Sequence, residues 1–414
     1  MNLLIVNIGQ LVTVASGGTG VKTGSGMRDL GIFEHAAVRI TDGAIERIGS
    51  SEELSGETSG DIDVLDVNGR IAIPGFVDAH THACFTGSRD HEFALRSQGA
   101  SYQDIAAQGG GILSTMKSVR AATRKDLKRA TDRHLDAMLR YGTTTAEVKT
   151  GYGLNMESEV AMLDAIQDVK KEHFVDVVPT FLPAHAVPPE FQGYTAGYIR
   201  LITEKMIPYA GKRNLARYCD VFCENGYFST DEARDILTAA KHNGMQLKMH
   251  AGELSDIGGT ELAVELGAVS VDHLEHVSEQ GIEALRSSTT IAVLLPGVSF
   301  FLNHQYAPAR TLIDAGIPVA IASDFNPGSC MSFSMPLMMT IACTHMQMTP
   351  EEALTASTLN AAAAVGMSDR VGSIEIGKKA DIVILDIPNY RYIPYYFGVN
   401  HVWRVIKNGT ILEF

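Results

Sequence analysis

The sequence predicts a (β/α)8 barrel of the TIM type, flanked by a small β-sandwich that both chain ends build together. Three observations carry this. From Pro74-Gly75 onward, apolar strand candidates alternate with helical patterns eight times. Before residue 70 and after residue 365 the texture is of short strands alone. Imidazoles and carboxylates follow the apolar runs, at the end of the barrel where such folds place their chemistry. A doubly wound open sheet is the alternative, and it asks for no inward convergence of those polar strand ends.

Residues 1–70 read as the first part of the β-sandwich, with β-rich segments at 3–6, 36–40 and 44–48. Asp42-Gly43 between the last two is a hairpin signal, because both positions tolerate positive φ. The Gly-rich residues 17–31 read as a loop. This region alone is too small for a comfortable domain.

The barrel is expected over residues 71–364, with strands at 76–80, 143–148, 175–182, 219–223, 245–250, 269–273, 291–295 and 317–323. Continuous apolar runs suit parallel strands buried on both faces. Helices fall between them. Residues 124–141 carry Leu127, Ala130, Leu135, Met138 and Leu139 at helical spacing and stop at Gly142. Asn155 is placed to cap the next helix, with Glu157 and Glu159 in its first turn and Lys170-Lys171 in its last. Ser229 and Glu232 have capping-box spacing, and Gly244 ends that helix. Thr349-Pro350-Glu351-Glu352 marks another helix start. Residues 365–414 return to strands at 381–385 and 401–406, with Asn408-Gly409 as a turn, and are expected to pair with residues 1–70.

Bulk properties narrow the function classes. The net charge of −14 argues against a nucleic-acid partner. No apolar run reaches the roughly 18 residues that would span a bilayer. The apolar N-terminal run has no basic segment before it and no small-residue cleavage site after it, so a secretory signal is not expected. Five cysteines, an odd and sparse set, read as reduced thiols in a cytoplasm.

Chemistry concentrates after the strands. His80 and His82 are two apart, so on a strand their side chains share one side and can grip one metal ion. Strand two leads into Glu147, Lys149 and Tyr152, strand three into His185, and strand four into Cys223 and Glu224. Strand five ends at His250 with Glu253 just beyond, strand six carries Asp272, His273, Glu275 and His276, and strand eight ends at Asp324. Singly, each is more often structural. Jointly, they are hard to account for in a purely structural barrel.

His80, His82, His250 and Asp324 offer three neutral imidazoles and a carboxylate, which suits Zn or Fe. Magnesium or calcium would want more oxygen ligands. Such a metal brings the pKa of a water toward neutrality and polarises a carbonyl. Glu253 is close enough to serve as general base, and His273 is placed to hold an oxyanion or assist proton transfer. How Glu253, His273 and Asp324 share the proton stays open. The pattern reads as metal-assisted hydrolysis at a trigonal carbon.

Other residues have plainer readings. Arg89 is either solvated or a clamp for a substrate carboxylate. Cys219 and Cys223 read as buried thiols, and Glu224 as a supporting carboxylate more than as a bridge to a second metal. His276 and His304 read as surface or supporting groups. Gly109-Gly110-Gly111 lacks the context of a phosphate loop and reads as a mobile loop. Met331, Met335, Met338 and Met339 read as core.

Pro74-Gly75-Phe76-Val77-Asp78-Ala79-His80-Thr81-His82 resembles the opening metal motif of the amidohydrolase superfamily. Gly377-Lys378-Lys379-Ala380-Asp381-Ile382-Val383 resembles its C-terminal signature. Six further stretches are similar to those of a family within it that opens an imidazolone ring. They are Arg96-Ser97-Gln98-Gly99-Ala100-Ser101-Tyr102, Lys149-Thr150-Gly151-Tyr152-Gly153-Leu154, Ala184-His185-Ala186-Val187-Pro188-Pro189-Glu190, His250-Ala251-Gly252-Glu253, Asp272-His273-Leu274-Glu275-His276 and Ser323-Asp324-Phe325-Asn326-Pro327-Gly328-Ser329.

The resemblance runs essentially end to end. It implies hydrolysis of the cyclic amide C–N bond of 4-imidazolone-5-propanoate to N-formimidoyl-L-glutamate, in histidine degradation. It implies one Zn or Fe ion per subunit on His80, His82, His250 and Asp324. It implies that Arg89, Tyr102, Tyr152, His185 and Glu253 bind the small anionic substrate, with Asn326, Gly328 and Ser329 lining it. Glu253, His273 and Asp324 carry over as catalytic. The family lacks the strand-four lysine of the binuclear branch, and none closes strand four here. A homodimer is implied, with no nucleic-acid or membrane partner. Two alternatives remain: a sibling such as a cyclic amidine deaminase, which would release ammonia, and an inactive interaction protein on the same scaffold. Arg89 disfavours the first for a neutral substrate, and the complete ligand set disfavours the second.

Overall fold

The computed structural model describes residues 2–56, 62–100, 105 and 109–413. Five strands come first: β1 (Asn2–Val12), β2 (Ile32–Thr41), β3 (Ala44–Ser50), β4 (Asp63–Asp66) and β5 (Ile71–Pro74). Eight follow: β6 (Phe76–Asp78), β7 (Thr143–Lys149), β8 (Asp176–Ala184), β9 (Tyr218–Cys223), β10 (Gln246–Ala251), β11 (Ser270–His273), β12 (Ile291–Leu294) and β13 (Val319–Ile321). β14 (Ile382–Leu385), β15 (Val402–Lys407) and β16 (Thr410–Leu412) end the chain.

Strands β6 to β13 pair in chain order, all parallel. Each is where an apolar run predicts it, with ends shifted by a few residues. What distinguishes a barrel from an open sheet is the seam between first and last strands. Here the Asp324 N–H donates to His80 O and the His82 N–H to Phe325 O, both at 3.0 Å. Below them the Asp78 carboxylate accepts from Ser323 N at 3.0 Å and Ser323 Oγ at 2.5 Å. The barrel therefore closes through the backbone of three of its four candidate metal ligands.

The helix starts follow their caps. Asn155 accepts from Ser158 N at 2.8 Å at the head of the helix Met156–Glu172. Ser229 with Glu232, and Thr349 with Glu352, form reciprocal capping boxes. Thr123 with Asp126 forms a third, which sequence reading did not single out. Each supplies acceptors for first-turn N–H groups that have no partner inside the helix.

The remaining strands form one mixed sheet in the order β16-β15-β14-β5-β1-β2-β3, with β4 on β1. β5 pairs β1 on one side and β14 on the other, and so splices the two chain ends. Both predicted hairpin turns are present, with φ of 50° and 79° at Asp42-Gly43 and 48° and 75° at Asn408-Gly409. Alternation divides the strands between two cores. Ala72, Ile382 and Ile384 pack with Leu3, Ile5 and Val38 in a core of the sheet's own. Ile71, Ile73, Val383 and Leu385 point into the barrel core. The far ends also meet, with Ile45 N donating to Lys378 O at 2.9 Å and Gly377 N to Ile45 O at 2.8 Å. The sandwich is thus one sheet folded over its own core. Among the described residues, no helix is long and apolar enough to cross a membrane.

An ion cluster fastens this sheet to the barrel. Asp176, at the start of β8, meets Lys379 Nζ and Lys407 Nζ, each at 2.7 Å, and Lys407 also meets Asp381 at 2.5 Å. Burial opposes ionisation of Asp176, but the two lysines win and hold its carboxyl below the usual value. The stabilisation is therefore present above the unfolded Asp pKa of about 3.9 and lost as pH falls through the lower folded value. Asp176→Asn is expected to destabilise the fold by about 1.5–3 kcal/mol at neutral pH. The difference in melting temperature from the parent should vanish in acid.

Candidate metal and active site

His80 and His82 lie just past β6, His250 near the end of β10, and Asp324 just past β13. His80 Nε2 is 3.4 Å from both His82 Nε2 and Asp324 Oδ1, and His82 Nε2 is 3.3 Å from the same Oδ1. The His250 ring packs edge-on to His80 with centroids 4.5 Å apart. A tetrahedral zinc site with bonds near 2.0–2.2 Å places neighbouring ligand atoms roughly 3.3–3.6 Å apart, so the triangle has the right size. His250 Nε2 and Asp324 Oδ1 are buried with no hydrogen-bond partner, as expected of lone pairs kept for a cation. The donor set fits Zn or Fe.

Beneath these ligands is a layer of buried charge. His80 Nδ1 is 2.6 Å from Asp272 Oδ2, and His250 Nδ1 is 3.0 Å from Asp220 Oδ2. Each carboxylate favours the tautomer whose Nε2 lone pair faces the metal position. Lys149 Nζ holds Asp220 at 2.8 Å, Glu147 at 3.0 Å and Asp272 at 3.6 Å. Lys248 Nζ reaches Glu147 at 3.0 Å. All five charged side chains are fully buried. Burial lowers the His80 pKa well below the ordinary value, with Lys149 adding to it, and lowers His82 to about 3. His250 is also lowered by burial, against the pull of Asp220. All three imidazoles are therefore neutral donors at pH 7.

Above the ligands opens a small cavity of about 30 Å³. Arg89, Tyr152, His185, Glu253, His273, Asn326 and Ser329 line it, as do His82, His250 and Asp324. His185 stacks on His82 with centroids 4.9 Å apart, its Nδ1 bonded to Gly151 O at 3.0 Å. Gly328 has a different part. A methyl group there would come within 2.0 Å of Arg89 Nη1, so its missing side chain leaves room for the guanidinium. Asn326 commits its amide to its own loop, accepting from Gly328 N and Ser329 N at 2.8 Å each. Tyr102 lies outside the described residues.

His273 and Glu253 form the polar wall. His273 Nε2 is 3.6 Å from Glu253, and its Nδ1 is 3.6 Å from Glu275. Burial alone would lower the His273 pKa, but Glu253 and Glu275 push it up to about 10. Burial raises Glu253 to about 7, with His273 opposing. On a regular strand, Asp272 and His273 would face opposite sides. His273 instead adopts φ of 86° and Leu274 70°, so Asp272 supports His80 from below while His273 faces the cavity.

Sequence reading missed Asp220, Lys248, Phe222 and Ile112. The signal was there for three of them: Asp220/Phe222 and Lys248/His250 are inward pairs at period two. Ile112 opens the helix Ile112–Ala121 and had no such mark. Glu224 stands outside the clusters of close ligand atoms. It accepts from Leu254 N at 2.9 Å, Ser255 N at 3.2 Å and Asn225 N at 2.8 Å, holding the loop that carries Glu253. Nor is the triple glycine merely a loose linker, since Gly111 N donates to buried Glu92 at 3.1 Å. Cys219 and Cys223 are buried free thiols, as expected.

Comparison with known proteins now adds to this geometry. Residues 71–412 match the amidohydrolase family. The chain is 48% identical over 416 residues to a protein named imidazolonepropionase from Symbiobacterium thermophilum, covering 100% of this chain and 97% of that one. The chain belongs to the imidazolonepropionase family of amidohydrolases. A second member, from Geobacillus thermodenitrificans, is 48% identical over 413 residues, covering 99% of this chain and 97% of that one. Among solved structures, an adenosine deaminase from Xanthomonas campestris with bound zinc superposes with a TM-score of 0.74 at 19% identity, covering 99% of this chain and 92% of that one. At that identity the likeness concerns the fold alone.

Asp272→Asn tests the supporting layer. It keeps the side chain's shape but weakens the contact that orients His80. Metal affinity, measured by competition with a chelator, is expected to fall about 10–100-fold while the protein still folds.

Proposed function

We propose that this chain hydrolyses the cyclic amide C–N bond of 4-imidazolone-5-propanoate, giving N-formimidoyl-L-glutamate in histidine degradation. The observation that carries this reading is the 48% identity with a named imidazolonepropionase across the whole chain. The site agrees with it. Arg89 offers a cation for the propanoate in the lining of the cavity that His82, His250 and Asp324 also line.

A Zn or Fe ion, one per subunit, held by His80, His82, His250 and Asp324, would polarise the ring carbonyl and acidify water when bound. The chain's own groups do the rest. Arg89 seats the carboxylate, and Tyr152 and His185 flank the ring. Glu253 takes the proton of the attacking water, and a base whose pKa lies near neutrality suits that task. His273, cationic between two carboxylates, donates to the carbonyl oxygen as charge develops there. Asp324 assists by its negative charge beside His273. As the carbonyl carbon gains the water oxygen, the C–N bond breaks and its electron pair leaves with the ring nitrogen. That nitrogen takes the proton held by Glu253. We also propose a cytoplasmic homodimer, on the family resemblance and the five unpaired cysteines.

Metal-replete protein supplied with imidazolonepropionate should yield formimidoylglutamate without ammonia. Ammonia release would point to a deaminase instead, and no product at all would overturn the reading. Glu253→Gln should keep its full metal content yet lose about 10²-fold or more in turnover. Undiminished turnover would remove Glu253 from the role of base.

A further inference from the structure

We infer that Glu92 is a positioning residue for the substrate carboxylate, fixing Arg89 and the facing wall of the cavity with one carboxyl group. The inference rests on Arg89 being the carboxylate seat. Arg89 immediately precedes the helix Asp90–Ser97, and Glu92 lies in that helix's first turn. The helical start places the two side chains side by side. Glu92 Oε2 accepts from Arg89 Nε at 2.9 Å and meets Nη2 at 2.7 Å. Its other oxygen, Oε1, accepts from Gly111 N at 3.1 Å. Gly111 stands directly before the helix Ile112–Ala121, and Ile112 lines the cavity. One buried carboxylate thus spans the polar seat and the apolar wall.

The opposite side of the guanidinium is fixed as well. Arg89 Nη1 lies over Gly328, where even a methyl group would collide. Held between Glu92 and the loop after β13, Arg89 has little freedom to slide toward or away from the metal ligands. A flexible arginine would spend binding energy on its own ordering. Glu92 supplies that ordering before substrate arrives. Its buried negative charge also offsets the cost of burying the Arg89 cation in the free enzyme. Its own path to the reacting atoms runs through Arg89 and Gly111, so its effect should fall on binding more than on turnover.

The test is a double-mutant cycle on the metal-loaded enzyme, with KM, kcat and melting temperature read for Arg89→Ala, Glu92→Gln and the two combined. Glu92→Gln is expected to raise KM about tenfold with kcat changed less than about threefold, and Glu92→Asp to recover part of the loss. In the Arg89→Ala background, Glu92→Gln should add little, because the group it positions is gone. An unchanged KM in Arg89→Ala would overturn the reading of Arg89 itself. A raised KM in Arg89→Ala but not in Glu92→Gln would overturn this inference alone. So would a full additional loss in the combined variant. Should Glu92→Gln fail to fold, Glu92→Asp carries the same cycle.

Discussion

A lysine with no access to solvent governs this barrel. Lys149 stands among Glu147, Asp220 and Asp272, and without its charge three carboxylates would face one another in a medium that screens poorly. Two of the three are the groups that orient His250 and His80. The geometry of the candidate metal ligands is therefore inherited from an ion cluster one layer deeper. An isolated buried charge would be prohibitively costly, and the arrangement persists because every member has a partner. An apolar barrel interior would pack as well but would leave the imidazoles free to rotate.

The seam of the barrel makes the same point from the backbone. The longest-range contacts in the site join residues some 240 positions apart, and they are ladder-like bonds, Asp324 to His80 and His82 to Phe325. Closing the barrel and assembling the ligand cluster are one event. A chain that failed to close would have no site, and a distortion of the site would open the seam.

Much of this was legible in the sequence. The eight apolar runs, the caps at Asn155, Ser229 and Thr349, and the Asp42-Gly43 and Asn408-Gly409 turns were all readable, because each depends on local spacing. Asp220 and Lys248 were not read, because a charge inside an apolar run looks like a defect until its partner on the next strand is known. The doubled use of Asp272 and His273 depends on a left-handed residue, which no periodicity announces. The position of Gly328 beneath Arg89 depends on a loop 239 residues downstream, and composition cannot convey that.

The loops over the site share a device that periodicity also conceals. A buried glutamate fastens each of three of them by accepting backbone N–H groups. Glu92 holds Gly111, and Glu159 holds Gly151, Gly153 and Leu154 around Tyr152. Glu224 holds Leu254 and Ser255 beside Glu253. Asn326 does the same for Gly328 and Ser329 with a neutral amide. Loops ordinarily bring mobility, and misplacing a reacting group by about 1 Å can cost a hundredfold in rate. The candidate metal ligands sit on a strand or within a few residues of a strand end, His250 in β10, His80 and His82 just past β6 and Asp324 just past β13. The cavity-lining groups that sit on loops need their precision supplied locally, and one buried side chain per loop, a glutamate in three and Asn326 in the fourth, supplies it. The surplus of acidic residues in this chain is thus partly structural. Some of those carboxylates are neither solvated surface nor catalytic groups, but fasteners for backbone that would otherwise wander.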